Sequence, residues 1–174
     1  MKGYLQSIVL EDPSNTVPGW VVVVADNYPA ANKAAGLVKV DYAAGPTTNV
    51  SEKDLQDHAT KLIANAGAGA VLPLGNTDTA GAFRAARSSI DATYTTSTVL
   101  HFQLEPVNAL AFQKDGKWEI HTGNQWQSLV LPWLATALAV PEANIVMRTY
   151  RLGGGFGRRL NGDYAVGAAL AAQA

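Results

Sequence analysis

The first part of the chain carries the pattern of a small unit of strands and a helix. Residues 20–25 form a continuous apolar run, which is typical of a strand buried on both faces, and residues 37–42 alternate as a half-buried strand does. Between them, Asp26 or Asn27 can cap a helix over residues 28–35. The pattern therefore predicts a β-α-β unit.

The middle of the chain carries signals for two further helices. Ser51 is followed three positions later by an acidic residue, which is typical of a helix N-terminus and predicts a helix over residues 55–65. A loop over residues 73–77 and a short helix over residues 78–86 follow. Residues 46–87 are therefore predicted to link two structural units.

The second half of the chain predicts more strands. Residues 90–95 alternate as a strand, and the Asp115-Gly116 pair predicts a hairpin that joins residues 109–113 to residues 118–122. Strands and helices alternate along the chain with turn residues between them. We therefore expect a mixed α/β (α+β) fold.

A helix, a strand and a final helix complete the predicted pattern. The first of these helices covers residues 125–139 and is expected to be kinked or to start late, because Pro132 lies inside it. The strand covers residues 145–150, and Asn161 or Asp163 can start the final helix.

The segment between that strand and the final helix has the sequence GGGFGRR (residues 153–159). Its glycines permit positive φ angles and let another group approach the backbone closely. Such a loop exposes amide N–H groups, and with Arg158 and Arg159 beside them it is suited to bind an anion or an oxo group. The alternative is a tight turn with two solvated arginines, although a turn requires only one or two glycines. The known nucleotide-binding motifs fit poorly, because the lysine of the P-loop and the last glycine of the dinucleotide motif are missing.

Composition excludes several classes of function. The formal net charge is -1 and no long run of one sign occurs, so binding to nucleic acid or to an acidic membrane surface has little support. The absence of cysteine excludes disulfides and an iron–sulfur cluster held by this chain. The histidines His58, His101 and His121 lack the spacing of a metal site. No apolar run is long enough to cross a bilayer.

Four motifs occur in one order along the second half of the chain. They are HFQLEPVNALA (residues 101–111), WEIHTGNQ (118–125), LAVP (138–141) and GGGFGRR (153–159). This series resembles the molybdopterin-binding subunit of the molybdenum hydroxylases, the xanthine dehydrogenase and aldehyde oxidase family. The Glu-Pro and Arg-Arg pairs favour its bacterial branch, the isoquinoline 1-oxidoreductase β-subunit and membrane-associated aldehyde dehydrogenases.

The resemblance implies a domain organisation. Residues 1–45 would be part of a hammerhead-like α/β unit, residues 46–87 a linker with helices, and residues 88–174 the N-terminal part of a molybdopterin-binding domain. Subunits of this family run to several hundred residues, so the chain is expected to be an internal fragment.

The resemblance also implies a set of residues at a molybdenum–molybdopterin centre. They are Gly154, Gly155, Phe156, Gly157, Arg158 and Gln125, with Asn124 as the alternative to Gln125. A backbone N–H near Phe156 or Gly157 would bond an oxygen of the cofactor. Glu105 is expected to be a buried carboxylate that bonds backbone amides, with a direct role at the cofactor as the alternative. No catalytic residue and no metal ligand is expected in this chain, because the family's glutamate base lies beyond Ala174.

Two departures from the xanthine oxidase pattern bear on the substrate. Val99 stands where that pattern has a glutamine, and no glutamate stands three residues after Gly157. Purine-type recognition is therefore not expected. The resemblance implies instead hydroxylation of aldehydes or N-heteroaromatic compounds with water as the oxygen donor.

The same resemblance implies partners and a location. Iron–sulfur clusters must lie on a partner subunit, since this chain has no cysteine, and a cytochrome c subunit is a further candidate partner. A periplasmic or inner-membrane-associated location in a bacterium is expected, with the cytoplasm as the alternative. The competing function is a stand-alone anion- or nucleotide-binding α/β module without catalytic activity, and a purely structural domain is the third alternative.

Overall fold

The computed structural model describes residues 1–17, 19–65, 67 and 78–174. Within these residues the chain contains two β-sheets and five α-helices, which confirms the predicted mixed α/β class. The chain forms two compact units. One combines Met1–Val40 with His101–Ala174, and the other comprises Asp41–Leu100. The loop predicted over residues 73–77 lies outside the described residues.

The N-terminal part of the first unit is an antiparallel pair of strands with a helix. Strand β1 (Tyr4–Val9) pairs with β2 (Val21–Ala25), and helix α1 (Tyr28–Ala35) follows and packs against β2. Asn27 caps α1 because its side-chain oxygen accepts a hydrogen bond from the Ala30 amide at 3.0 Å. The predicted helix and its cap are therefore confirmed. Strand β2 is only half-buried, because the two-stranded sheet does not cover it on both faces.

The predicted second strand of this unit is wrong. Residues 37–42 form no strand, and the partner of β2 is β1, for which no strand was predicted. The physical reason lies at the end of α1. The amides of Leu37 and Val38 donate to the carbonyls of Ala34 and Ala35 at 3.0 and 3.1 Å, so they continue the helix end and cannot join a sheet.

The second unit contains helices α2 (Glu52–Ile63) and α3 (Thr79–Ala85). Ser51 and Asp54 form a reciprocal capping box at the start of α2, as the sequence predicted. The strand predicted over residues 90–95 is wrong, because these residues have no regular structure and no paired strand. None of the described residues of this unit is buried.

The second sheet lies in the first unit and has the order β3-β4-β5. Strands β3 (Ala109–Lys114) and β4 (Lys117–Thr122) form the predicted antiparallel hairpin, and β5 (Ile145–Thr149) pairs with β4 in parallel. The hairpin turns at Asp115 and Gly116, whose φ angles of 51° and 75° match the twist of two-residue hairpin loops.

Two helices pack with this sheet and form the core. Helix α4 (Gln127–Leu138) starts late and runs through Pro132, and a 3₁₀ turn (Glu142–Asn144) leads into β5. Helix α5 (Asp163–Gln173) follows the glycine-rich segment. The core of the unit is the contact between these elements, with buried residues Trp118, Ile120, Val130, Leu134, Leu138, Ala165, Val166, Ala169 and Leu170.

Candidate functional site

The glycine-rich segment, residues 152–159, connects β5 to α5 and is called the glycine loop below. Gly154 and Gly157 have φ angles of 102° and 92°, which a residue with a side chain rarely adopts. Phe156 also has a positive φ, 51°, and its side chain is 71% exposed. A strained aromatic residue held in solvent is typical of a loop that contacts a ligand.

Two other segments face the glycine loop. The Gly153 amide donates to Glu105 Oε2 at 2.7 Å, and the Glu105 amide donates to the Gly153 carbonyl at 3.2 Å. On the opposite side, the Gly157 amide donates to Gln125 Oε1 at 3.1 Å. The Gln125 amide donates in turn to the Arg159 carbonyl at 3.1 Å. Three of the four sequence motifs therefore meet at this loop.

The close approach of these segments depends on glycine. A Cβ atom on Gly153 would lie 2.5 Å from Glu105 Cβ, and one on Gly155 would lie 2.5 Å from Gln125 Oε1. Neither distance is compatible with van der Waals packing, so larger residues would push the facing side chains away. The close contact between the loop backbone and the facing segments therefore requires glycine at these positions.

The middle of the loop carries unused hydrogen-bond donors. Within the part of the chain that the structure describes, no group accepts a hydrogen bond from the amides of Gly154, Gly155 or Phe156. Successive backbone N–H groups of this kind form an anion-binding concavity. The loop therefore fits an anionic, oxygen-rich group such as a pterin cofactor, which it would hold through backbone donors.

Arg158 is engaged by a carboxylate. Its two terminal nitrogens donate to Asp163 at 2.7 and 2.9 Å, and its guanidinium lies 6.0 Å from the centre of the Tyr164 ring. The hydrogen bonds that Arg158 donates to Asp163 raise the pKa of Arg158 above its ordinary value. The Arg158 amide donates to the Gly155 carbonyl at 2.8 Å, which tightens the loop.

Arg159 is fully buried and joins three segments. Its terminal nitrogens donate to the carbonyls of Glu105 at 2.9 Å, Pro106 at 3.3 Å and Gly123 at 3.4 Å. One of these nitrogens also lies 3.1 Å from Glu105 Oε2, whereas Nε has no partner among the described residues. The expectation of two solvated or anion-binding arginines is therefore wrong for Arg159, because its side chain is buried and its guanidinium is hydrogen-bonded to backbone carbonyls of the protein itself.

Glu105 binds the backbone as expected, although its side chain is 37% exposed and thus not buried. Its carboxylate accepts hydrogen bonds from the Gly153 amide and from Asn108 Nδ2, at 2.7 and 3.1 Å. These two hydrogen bonds, in that order of importance, lower the pKa of Glu105, and Arg159 adds to the effect. The carboxylate is therefore ionised at neutral pH.

The buried side chains of Asn124 and Tyr164 hydrogen-bond to backbone carbonyls of the site. Asn124 Nδ2 donates to the Arg159 carbonyl at 2.7 Å, and the Tyr164 hydroxyl donates to the Gly123 carbonyl at 3.0 Å. Both side chains are buried, and Asn124 contacts the loop at its last residue, Arg159, whereas Gln125 accepts the amide of Gly157. The roles of Arg159 and Tyr164 were missed by sequence reasoning. Nothing in the order of the residues distinguishes Arg159 from Arg158.

Across the described ranges, no group of three or more His, Asp or Glu side chains is placed to hold a metal ion. His121 lies in β4, with its ring nitrogens 2.7 Å from the hydroxyl of Tyr150, which follows β5, and 3.1 Å from Glu119 Oε2 in β4. None of the helices among the described residues has the length and apolar character needed to cross a membrane.

Comparison with known proteins identifies the family. The family model of the molybdopterin cofactor-binding domain matches residues 59–174, which is about two thirds of the chain and includes the glycine loop and both segments that face it. The chain therefore belongs to the molybdopterin cofactor-binding domain family. The resemblance to the molybdenum hydroxylases that the motifs indicated is confirmed.

Individual relatives refine this class. The chain is 52% identical over its whole length to the membrane-bound aldehyde dehydrogenase (pyrroloquinoline-quinone) of Gluconacetobacter polyoxogenes, of which it covers 22%. It is 34% identical, over 88% of its length, to the aldehyde oxidoreductase molybdenum-binding subunit PaoC of Escherichia coli K12, of which it covers 20%. It is 30% identical to the xanthine dehydrogenase of Blastobotrys adeninivorans over 78% of its length. The chain thus spans about a fifth of the length of the first two relatives.

Proposed function

We propose that this chain is part of the molybdopterin-binding subunit of an oxidoreductase that converts aldehydes to carboxylic acids. The observation that carries the proposal is the glycine loop, whose three unpartnered amides face no acceptor in the described chain and lie within the matched family domain. Support for aldehydes as substrates comes from the names of the two relatives with the highest identities among those described above.

The chain's own residues would bind and orient the cofactor. We propose that the holding residues are Gly154, Gly155, Phe156, Gly157, Arg158 and Gln125. The amides in the middle of the loop would donate to oxygen atoms of the cofactor, and the exposed Phe156 ring would supply an apolar surface beside it. Gln125 holds the Gly157 amide, and the pair formed by Arg158 and Asp163 keeps the loop's last turn in place. When bound, the molybdenum–molybdopterin cofactor supplies two-electron oxidation chemistry.

The overall reaction requires parts that this chain does not contain. An aldehyde and water give a carboxylic acid, two protons and two electrons. We place the glutamate that acts as base in another part of the polypeptide. We place the electron-accepting iron–sulfur clusters on a partner subunit, because cysteine is absent here, and a cytochrome c subunit is the next acceptor that we propose.

The domain organisation stays a proposal. We assign residues 1–45 to a hammerhead-like unit, residues 46–87 to a linker and residues 88–174 to the molybdopterin-binding domain.

We propose a periplasmic or inner-membrane-associated location for the full-length protein. The proposal is supported by the name of the membrane-bound relative in Gluconacetobacter polyoxogenes. The stand-alone anion- or nucleotide-binding module is not favoured, because the family model covers most of the chain and the side chains of Arg158 and Arg159 are used internally.

Cofactor analysis of the full-length protein tests the proposal. The name of one relative carries pyrroloquinoline-quinone, whereas the matching family binds molybdopterin, so both cofactors must be assayed. We expect near-stoichiometric molybdenum and pterin per polypeptide and no quinone. Turnover should be observed with an aliphatic aldehyde and an artificial electron acceptor, and not with xanthine. Isoquinoline turnover that exceeds aldehyde turnover would shift the substrate class to N-heteroaromatic compounds, and a protein without molybdenum would refute the proposal.

A matched pair of glycine substitutions tests the role of the loop. Gly157 and Gly116 both have positive φ angles, 92° and 75°, and no atom lies closer than 3.8 Å to a Cβ built on either residue. Alanine therefore introduces similar backbone strain at both positions. We expect Gly157→Ala to lower molybdenum content and kcat/KM by roughly 10-fold to 100-fold. Gly116→Ala, in the distant hairpin turn, should leave both at wild-type values.

A further inference from the structure

We propose that Glu105 and Gln125 are positioning residues that hold the glycine loop at its two ends and thereby select which amides face the cofactor. The inference deepens the proposed function and rests on it. Neither residue is close in sequence to the loop: Glu105 is 48 residues from Gly153, and Gln125 is 32 residues from Gly157. The clamp is therefore a product of the tertiary fold.

The first end of the clamp is a charged acceptor. Glu105 Oε2 accepts the Gly153 amide at 2.7 Å, and the reciprocal backbone hydrogen bond from the Glu105 amide to the Gly153 carbonyl, 3.2 Å, fixes the register. Hydrogen bonds to an ionised carboxylate are about twice as strong as those between neutral groups. Arg159, 3.1 Å away and fully buried, balances this charge and binds the carbonyls of residues 105 and 106.

The second end of the clamp is a neutral acceptor. Gln125 Oε1 accepts the Gly157 amide at 3.1 Å, while the Gln125 backbone amide is fixed by the Arg159 carbonyl. A neutral acceptor at this end adds no negative charge next to the proposed anionic cofactor. The charged acceptor stands at the end where a counterion is available. Among the described residues, Arg159 forms an ion pair only with Glu105.

The clamp divides the amides of the loop into two sets. Those of Gly153 and Gly157 are consumed by the two side chains, and Arg158 donates to Gly155 within the loop. The amides of Gly154, Gly155 and Phe156 lie between the clamped ends and have no acceptor among the described residues. Because the clamp fixes the position of these three amides in the absence of the cofactor, cofactor binding does not have to order the loop.

Amide hydrogen exchange in the full-length protein tests the clamp. The peptide that spans residues 152–158 is followed in protein prepared with and without molybdenum, and molybdenum per polypeptide is measured on the same samples. The variants are Glu105→Ala, Glu105→Gln, Gln125→Ala and Gln125→Glu. The matched controls are Glu142→Ala and Gln113→Ala, at exposed positions outside the site.

In the molybdenum-free protein we expect the Gly153 amide to exchange at least 10-fold faster in Glu105→Ala and the Gly157 amide at least 10-fold faster in Gln125→Ala, because each variant removes the acceptor of that amide. Glu105→Gln and Gln125→Glu retain an acceptor oxygen and should keep protection within about 3-fold of wild type. The controls should match wild type. Unchanged exchange in both alanine variants would overturn the clamp.

The Gln125→Glu variant separates positioning from simple structural support. It preserves the hydrogen bond to Gly157 but places a carboxylate beside the proposed anionic cofactor, so protection should persist while molybdenum content falls several-fold. Retention of both would overturn the inference that the free amides face an anionic group. A wild-type protein without molybdenum would refute the proposed function, while the exchange rates would still decide the clamp.

Discussion

Two adjacent arginines in the glycine loop have different structural roles. The Arg158 side chain is one third exposed and pairs with Asp163, five residues ahead on the same segment. The Arg159 side chain is fully buried and binds carbonyls more than thirty residues away in sequence. Both arginines lie in the hydrogen-bonded turn over residues 156–159, which leaves the Arg158 side chain partly exposed and directs that of Arg159 into the protein.

We predict that Arg159→Lys is strongly destabilising. Lysine cannot satisfy three carbonyls and a carboxylate in the geometry of the guanidinium fork, so about 2–4 kcal/mol of unfolding free energy should be lost. Chemical denaturation of the full-length protein measures this loss. Arg151→Lys, at an exposed position in the same connection, is the control and should change stability by less than about 0.5 kcal/mol. Equal effects of the two substitutions would contradict the role of Arg159.

We predict an acid-sensitive contribution from Glu105. Its pKa in the folded protein is lowered from the ordinary value of 4.5, mainly by the Gly153 amide, so the ionised form favours the folded state. The stabilisation is complete above pH 4.5 and is lost as the pH falls through the lowered pKa. The difference in Tm between wild type and Glu105→Gln should therefore shrink between pH 6 and pH 3. A difference that is constant with pH would exclude this linkage; Glu142→Gln is the matched control.

At the scale of elements, helices were predicted better than strands. Helices α1 and α2 begin at Asn27 and Ser51, whose side chains cap the first turn locally, so a short window of sequence contains the signal. The strands predicted over residues 37–42 and 90–95 did not form. A strand is stabilised by hydrogen bonds to a second strand. An alternating pattern within one segment does not show whether a second segment is available to pair with it.

The contact between α4 and α5 depends on Gly162. This residue precedes α5 with a φ of 66°, and a Cβ atom on it would lie 2.5 Å from both methyl groups of the fully buried Val130. Overpacking and backbone strain together predict that Gly162→Ala costs about 2–4 kcal/mol. Gly116→Ala has a similar φ but open space around it, so it should cost only about 1 kcal/mol. Thermal or chemical unfolding that gives equal losses would contradict the steric argument.

At the scale of the whole molecule, the core is unevenly distributed. Every residue of the described buried core lies in the unit formed by Met1–Val40 and His101–Ala174. The described residues of Asp41–Leu100 bury no side chain, and large apolar residues such as Leu55, Ile63 and Phe83 are exposed. Among the described residues, the helices of that unit are stabilised by their caps and by exposed polar contacts such as the Lys53–Asp57 ion pair, and short helices without buried contacts are marginal in water.

We predict that helices of the two units differ in amide hydrogen exchange in the isolated 174-residue chain. Amides of α2 should exchange within about 10-fold of the rate of an unstructured peptide, because no tertiary burial opposes local unfolding. Amides of α5, which packs in the core, should be slower by at least about 100-fold. Equal protection of the two helices would contradict this expectation.

The sequence by itself determined the mixed α/β class, the hairpin, the helix caps and the family, because each of these depends on short-range patterns or on motifs in a specific order. The motif residues Gly153 to Gly157 could also be singled out as a donor-rich loop. Only the tertiary structure decided which groups meet that loop. It brought Glu105 and Gln125 to the loop's two ends, buried Arg159 and left Arg158 on the surface. These contacts join residues more than thirty positions apart, and such pairings are set by the packing of the whole unit and not by any local stretch of sequence.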